Sequence, residues 1–386
     1  MQYIENLLGG FACAILSLFS FFLSKTTRPD PLKVSRVLCV KFWGIGSLIL
    51  ATPFLEEAKR TFPNAKIELL TLSGNKGVVK MLSDVDHVHY LDLGCNIFEA
   101  IVAFMQSMRN VRSMRPDVLI DLEFYTRASA ILAFFSGAPT RVGYHSQGVW
   151  RGNFHTNRIA FNVYRHVTAN FYNLLEPFGV KSVHTPLMPK VSLDPRAVAE
   201  VDGLLGRLVV EKPFIIVNVN AGELAYERRW APERYVKLVQ SLCIKHGTTA
   251  LFVGSPSEKE YVESVVSLIK MDRGRVLNIA GEVSLDGLGE LFKRCAFVIT
   301  NDSGPLHLAV AVNTRIVSFF GPETPVLYGP VGEGHCVLFA NSPCSPCINV
   351  ERAKSLQCWQ PNIRCQDEMT VEKALNRISA EFGSLL

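Results

Sequence analysis

An α/β protein with two Rossmann-like domains is the fold class that the sequence predicts, and three observations predict it. Short apolar runs that read as buried parallel strands alternate with amphipathic helical stretches, a proline-rich segment interrupts the alternation, and the alternation then begins again. The length agrees: 386 residues exceed one ordinary core, and about 150 residues per domain makes two domains the first expectation. Forty Lys and Arg against 35 Asp and Glu leave a charge of +5, too small an excess for a dedicated nucleic-acid binder. Phosphate-bearing small molecules and an anionic membrane surface remain open as partners. A hydrophobic share of 48% with 19% charged residues excludes a disordered chain.

The first element is a segment without charge from Asn6 to Ser24. As a helix, residues 7–24 would reach roughly 27 Å at about 1.5 Å per residue, just enough to span a bilayer. Residues 1–30 are therefore expected to be a membrane anchor helix and linker, with an interfacial helix and a signal peptide as rivals. Lys25, Arg28, Lys33 and Arg36 follow the run, so the positive-inside rule puts the rest of the chain on the cytoplasmic side.

Residues 31–190 form the first expected domain. VLCVKFW reads as a buried strand, GIGS as a turn into a helix, and FPNAKIELLTL as the next strand, which together make a β-α-β unit. HVHYLDL, a helix near residues 97–114, the strand DVLIDLEF and a helix through SAILAFFSG continue it. LEPFGVKSVHTPLMPKVSLDP, with four prolines, reads as the linker. The second domain, residues 191–368, runs through PFIIVNVNAG, PERYVKLVQSLCIKHG, TALFVGS, a helix from Glu258 to Lys270, FVITNDSG and RIVSFFGP. Residues 369–386 carry a last helix. Two such halves suggest a central cleft between them.

Gly44 and Gly46 sit at a strand-to-helix turn, where missing Cβ atoms let backbone approach a ligand and helix N–H groups face anions; the plainer reading is a tight turn. More informative is FVITNDSGPLHLAVAVNT, where a strand ends in Asn301-Asp302-Ser303-Gly304 and a helix starts at once. Asp302 and Ser303 are natural N-caps. With the N–H groups of Ser303 and Gly304, and His307 one turn on, the same residues also make a pocket for a diphosphate.

These motifs carry a resemblance. From about Val37 to Glu372, through VLCVKFWGIGSLILATPFLEEAKRTFPNAKIELL, DLEFYTRASAILAFFSGAPTRVGYH, ERRWAPERY, LFVGSPSEKE, NDSGPLHLAVAVNTRIVSFFGPETPVLYGP and CSPC, the chain resembles glycosyltransferase family 9, the ADP-heptose:lipopolysaccharide heptosyltransferases. The resemblance implies a GT-B fold and an inverting transfer that requires no catalytic metal or other cofactor. It assigns the acceptor to the N-terminal domain and the nucleotide-sugar to the C-terminal one. It implies that Asp302, Ser303, Gly304 and His307 hold the donor diphosphate and sugar. Arg228 falls where the family usually has a phosphate-binding Lys, and its planar fork keeps the charge. Glu258 falls at an acidic position that in relatives contacts the ribose, although a solvated helix-start Glu reads equally well.

The chain departs from the family at Ser47, where the turn ends Gly-Asp in the heptosyltransferases and that Asp is the proposed base. Asp121 and Glu123, at the carboxyl end of VLIDLEF, offer replacements, since open α/β sheets place ligands at that end. Glu123 is expected to deprotonate the acceptor hydroxyl with Ser47 orienting it, and Asp121 is the alternative base. A helix cap or a partnership with Arg127 is the plainer role for both. Arg141, His145 and Arg151, in a basic stretch that continues through His155, Arg158, Arg165 and His166, suit an anionic acceptor or a membrane-facing surface. Cys344, Cys347, Cys358 and Cys365 could close a structural zinc site, or remain free or paired thiols.

The expectation is thus a glycosyltransferase at the inner (cytoplasmic) membrane. It would move heptose from ADP-heptose to an anionic glycolipid or lipopolysaccharide-core acceptor, with no nucleic-acid partner. A catalytically silent sugar-nucleotide-binding or scaffold protein, and a sugar-nucleotide epimerase, are the rivals.

Overall fold

Buried parallel strands are near-continuous runs of branched and aliphatic residues, and the strands here have that composition. In the computed structural model, which describes residues 2–20, 29–94, 96–145, 148–222, 226–271, 274–340, 342–348, 358–359 and 363–386, the chain divides into two compact units after Leu187.

Unit 1 opens with helix α1 (Gln2–Ser20). It continues through β1 (Arg36–Val40), α2 (Ile45–Leu50), α3 (Thr52–Thr61), β2 (Lys66–Leu72), α4 (Lys76–Val79) and β3 (His87–Leu91). Then come α5 (Ile97–Met114), β4 (Val118–Asp121), α6 (Arg127–Ser136), β5 (Thr140–His145), β6 (Asn157–Ala160) and α7 (Val167–Tyr172). All five strand pairings are parallel, in the order β3-β2-β1-β4-β5-β6. The strand order reverses between β1 and β4, so a crevice opens at the carboxyl ends of those two strands.

Unit 2 begins with α8 (Arg196–Leu208), β7 (Phe214–Asn218), α9 (Pro232–His246), β8 (Thr249–Phe252), α10 (Lys259–Val266), β9 (Val276–Asn278) and α11 (Leu285–Arg294). It closes with β10 (Val298–Asn301), α12 (Gly304–Ala311), β11 (Ile316–Phe320), α13 (Pro325–Tyr328), β12 (Cys336–Phe339), α14 (Arg364–Asp367) and α15 (Val371–Phe382). Its parallel sheet has the order β12-β11-β10-β7-β8-β9, with the reversal between β7 and β10. One core cluster joins Ile215, Val217, Ile299 and Val317 from the strands to Leu238, Val262, Ile378 and Phe382 from the helices.

The membrane anchor requires correction. The helix forms, but among the described residues no helix is long and apolar enough to cross a membrane. The last four residues of the apolar run, 21–24, lie outside the described residues. α1 seats one side on its own unit and leaves Phe11, Ile15 and Leu18 exposed on the other. Cys13 is fully covered and clusters with Ala130 and Phe154, with Leu16, Ile131 and Phe134 packed around them. A Cβ on Gly9 would lie 3.3 Å from the Arg127 side chain, so glycine there lets α1 lie close to α6.

Phe154 is fully buried, with its ring 5.1 Å from that of Phe134. Phe154→Ala is expected to cost about 3–5 kcal/mol, the usual range for emptying a packed aromatic site. Thermal unfolding should show the loss, and hydrogen exchange should show α1 released ahead of the sheet.

Candidate active site

The two strand-order reversals hold different chemistry. In unit 1 the reversal is bridged by charge. Lys41, one residue past β1, is 2% exposed and donates from Nζ to Glu123 Oε1 at 2.7 Å. Glu123 lies two residues past the end of β4, and the same Oε1 accepts the backbone N–H groups of Phe42 (2.8 Å) and Trp43 (3.0 Å). One carboxylate oxygen therefore fixes the chain entering the Gly44–Ser47 turn. Its other oxygen, Oε2, is buried with no hydrogen-bond partner among the described residues. Leaving a buried acceptor unsatisfied costs about 1–3 kcal/mol, more when it is charged.

Asp121 is more completely engaged. Its Oδ1 accepts the Glu123 N–H at 3.0 Å. Its Oδ2 takes Arg151 Nη2, Ser129 Oγ (3.1 Å) and His155 Nε2 (3.2 Å). Burial alone would raise this carboxyl, but the Arg151 charge, the His155 bond and the Glu123 N–H outweigh it and hold the group below its ordinary 3.8. Burial pushes the His155 imidazole down despite Asp121, so it stays neutral and donates from Nε2. Asp121 is thereby an anchor with lowered basicity, which corrects its expectation as an alternative base.

Two arginines of the basic stretch are engaged in the same way. Arg151 gives Nε to Thr126 O, Nη1 to Glu123 O, and Nη2 to Asp121 and Ser129. Arg141 gives Nε to Phe154 O (2.7 Å) and Nη1 to Ala138 O (2.6 Å). Both are buried, so neither fork reaches an acceptor; of the three residues assigned to it, only His145, exposed at the end of β5, can. Gly44 adopts φ +89° as the N-cap of α2, while Gly46 is buried inside that helix. Ser47 Oγ lies 3.2 Å from the position a Cβ on Gly44 would take, so the glycine brings that hydroxyl against the turn.

In unit 2 the reversal is bridged by amides. Asn218 Nδ2 donates to Asn220 O, Thr300 Oγ1 and Ser303 Oγ at 3.0–3.2 Å. Asn301 accepts the Trp230 N–H and donates to Val219 O and Asn220 O. The Asn301 amide is thus spent on scaffold, a correction to its place among donor contacts. Ser303 is the N-cap of α12, yet its side chain makes no capping bond because it faces inward to Asn218 and Thr300. The Gly304 N–H that opens α12 is left without a side-chain cap, while Pro305 has no N–H and Leu306 gives its own to Ser303 O; an uncapped N–H at a helix start is the condition under which it receives an anion.

Arg228 stands beside them. Nη1 donates to Asp302 O at 3.2 Å and Oδ2 at 3.3 Å, and Nη2 to Ala221 O. Asp302, an odd neighbour for phosphate, is therefore the ion-pair partner that orients a cation there. Trp230 holds this segment: it is fully buried, stacks on Phe319 with centroids 4.1 Å apart, and donates Nε1 to Met369 O. His307 is buried in α12, its ring 6.4 Å from that of Tyr328. Glu258 Oε2 accepts from Ser255 N and Oγ in a capping box, which realises the helix-start reading.

Cys344, Cys347, Cys358 and Cys365 line one small cavity with Trp359, Arg364 and Glu227. Burial, with the neighbouring sulfurs, pushes the Cys365 thiol up to about 11. Among the described residues no three Cys, His, Asp or Glu side chains are set as a metal shell, so the zinc alternative is not shown.

The family profile of glycosyltransferase family 9 (heptosyltransferase) matches residues 104–360. The chain belongs to glycosyltransferase family 9. It is 26% identical over 303 residues to lipooligosaccharide heptosyltransferase 2 of Haemophilus influenzae, covering 75% of this chain and 84% of that one. Its fold is that of a family 9 glycosyltransferase from Veillonella parvula, with a TM-score of 0.74 at 21% identity over 93% of this chain and 100% of the other. It is also that of E. coli ADP-heptose lipopolysaccharide heptosyltransferase II, with a TM-score of 0.70 at 18% identity over 91% and 99%. As a family 9 member the chain is a glycosyltransferase.

Sequence reasoning missed Lys41, Asn218 and Asn220, although each stands out as a polar residue inside an apolar strand run, VLCVKFW and FIIVNVNAG. A group whose folded pKa is depressed contributes stability that is complete above its ordinary value and lost as pH falls through the folded one. Unit 1 should therefore lose stability as the pH falls below about 4 through Asp121. Asp121→Asn should remove that dependence and cost about 3–5 kcal/mol at neutral pH by stranding the buried Arg151 charge. Urea unfolding between pH 7 and 3 measures both.

Proposed function

We propose that the enzyme transfers heptose from ADP-heptose to an anionic, lipid-linked or lipopolysaccharide-core sugar, by one displacement at the anomeric carbon. The uncapped start of α12 beside Arg228 carries this reading, because it sets the Gly304 N–H and one oriented cation where a leaving diphosphate needs them. The acceptor oxygen bonds to the anomeric carbon as the bond from that carbon to the diphosphate oxygen breaks. Arg228 and the helix start take up the charge of the departing ADP, while Asp302 holds Arg228 in place. His307 and Gly304 belong to the same donor site, and Glu258 borders its ribose side. The acceptor proton goes to Glu123 Oε2, the carboxylate oxygen at the unit 1 reversal that has no partner among the described residues. Ser47 orients the acceptor.

A lipid-linked acceptor puts the reaction at the cytoplasmic face of the inner membrane. In support, the first turns of α5 expose Phe98, Ile101, Val102 and Met105, spaced as one helix face. Such a face suits shallow contact with a bilayer and needs no spanning helix. Phe98→Ser with Met105→Ser is expected to reduce co-sedimentation with anionic vesicles without changing transfer to a short soluble acceptor.

Glu123→Gln should lower turnover by about a hundredfold or more. It should also cost about 3–5 kcal/mol, because Lys41 loses its buried partner. Adding Lys41→Met removes the stranded charge. Stability, measured by thermal unfolding, should then recover while turnover, measured by ADP release, does not. Turnover that returns with stability would show that Glu123 only positions the turn.

A further inference from the structure

Three buried asparagines end β7 and β10, and two of their amides are fully spent. Asn218 and Asn301 tie the two strand ends together through the bonds described above. Asn220 differs. Its backbone is engaged, with its carbonyl accepting from both neighbouring amides and its N–H facing Asn218 Oδ1 at 3.4 Å. Its side chain is 3% exposed, yet neither Oδ1 nor Nδ2 has a partner among the described residues. A buried amide with both ends idle is a standing cost, and such a group in a folded protein calls for a ligand or another explanation.

Place and chemistry narrow the ligand. β7 lies between β10, which leads into the α12 start, and β8, which leads into the Gly254–Glu258 loop. The amide reaches toward that loop: a Cβ on Gly254 would stand 3.2 Å from Asn220 Nδ2 and 3.3 Å from Glu258 Cβ. The missing side chain at Gly254 thus leaves room for the amide at the start of that loop, with Val262 Cγ2 also 3.2 Å from the same point. A diphosphate could satisfy Nδ2 but would leave Oδ1 unpaired, since phosphate oxygens only accept. Adjacent hydroxyls satisfy both ends, because each can donate and accept.

We infer that Asn220 is a binding residue for the vicinal diol of the donor's ribose, reading its two hydroxyls with Nδ2 and Oδ1. This deepens the nucleotide-sugar reading and rests on it. The amide contributes to holding the nucleotide, and because it bonds to nothing among the described residues it contributes little to the fold.

The test is a binding cycle on the whole chain by calorimetry, with ADP and its 2′-deoxy and 3′-deoxy forms against the unaltered protein, Asn220→Ala and Asn220→Asp. The unaltered protein should bind the deoxy forms about tenfold or more weakly than ADP, and Asn220→Ala should weaken ADP by a similar factor. The two losses should not add: Asn220→Ala should treat ADP and at least one deoxy form alike. Asn220→Asp, which keeps the shape but loses the donor, should fall between or below. Ligand-free Asn220→Ala should melt within a degree or two of the parent. Unchanged ADP affinity in Asn220→Ala, fully additive losses, or a clear fall in the melting temperature of Asn220→Ala would each overturn the inference. If ADP does not bind but another nucleoside diphosphate does, the donor reading fails and the same cycle with that nucleotide judges Asn220. Binding of none overturns both.

Discussion

Because a parallel sheet needs crossovers, its faces are taken by helices, and its polar chemistry is confined to the ends of the strands. Every polar group of consequence in this chain follows that constraint. The strand interiors are spent on core, as in the cluster that joins β7, β10 and β11 to the helices of unit 2. What remains is the point in each sheet where the strand order reverses, between β1 and β4 and between β7 and β10. The residues just beyond those four strands hold the polar chemistry of each unit.

The two ends solve one problem with different means. Each must hold two strand ends together while keeping groups free for a ligand. Unit 1 uses ion pairs, Lys41 with Glu123 and Arg151 with Asp121, all buried. Buried ion pairs add little net stability, but losing one partner is severe, so they fix geometry more than they strengthen the fold. Unit 2 uses neutral amides and hydroxyls, Asn218, Asn301, Thr300 and Ser303, and keeps its one cation, Arg228, beside the α12 start. Asp302 holds that cation in place. The division matches a donor that carries the phosphates and an acceptor that has to give up a proton.

Much of the fold was legible because the strand signal is simple. VLCVKFW, FVITNDSG and RIVSFFGP each carry an apolar run with turn residues after it; β10 and β11 lie within the last two, and β1 starts one residue before the first. The amphipathic α8 followed the proline-rich stretch closely, and its pattern was hidden by the linker reading. Spacing and resemblance pointed to Asp302, Ser303, Gly304 and Arg228, and these lie together at the unit 2 reversal. The fate of Arg141, Arg151 and Asp121 was not, since a charge reads alike in sequence whether it faces a substrate or a buried partner. The apolar N-terminal run misled for a related reason: composition reveals that α1 must cover apolar surface, while only packing reveals that the covering partner includes Ala130 and Phe154.

The central claim, that this chain moves heptose from a nucleotide carrier to an acceptor sugar, is tested most directly by product analysis. Purified protein would be incubated with ADP-heptose and a lipopolysaccharide core lacking heptose, and ADP release and acceptor mass followed together. The account predicts one ADP for each heptose gained by the acceptor, and no ADP without acceptor. ADP release with no gain in acceptor mass, or no release when both substrates are present, would contradict it.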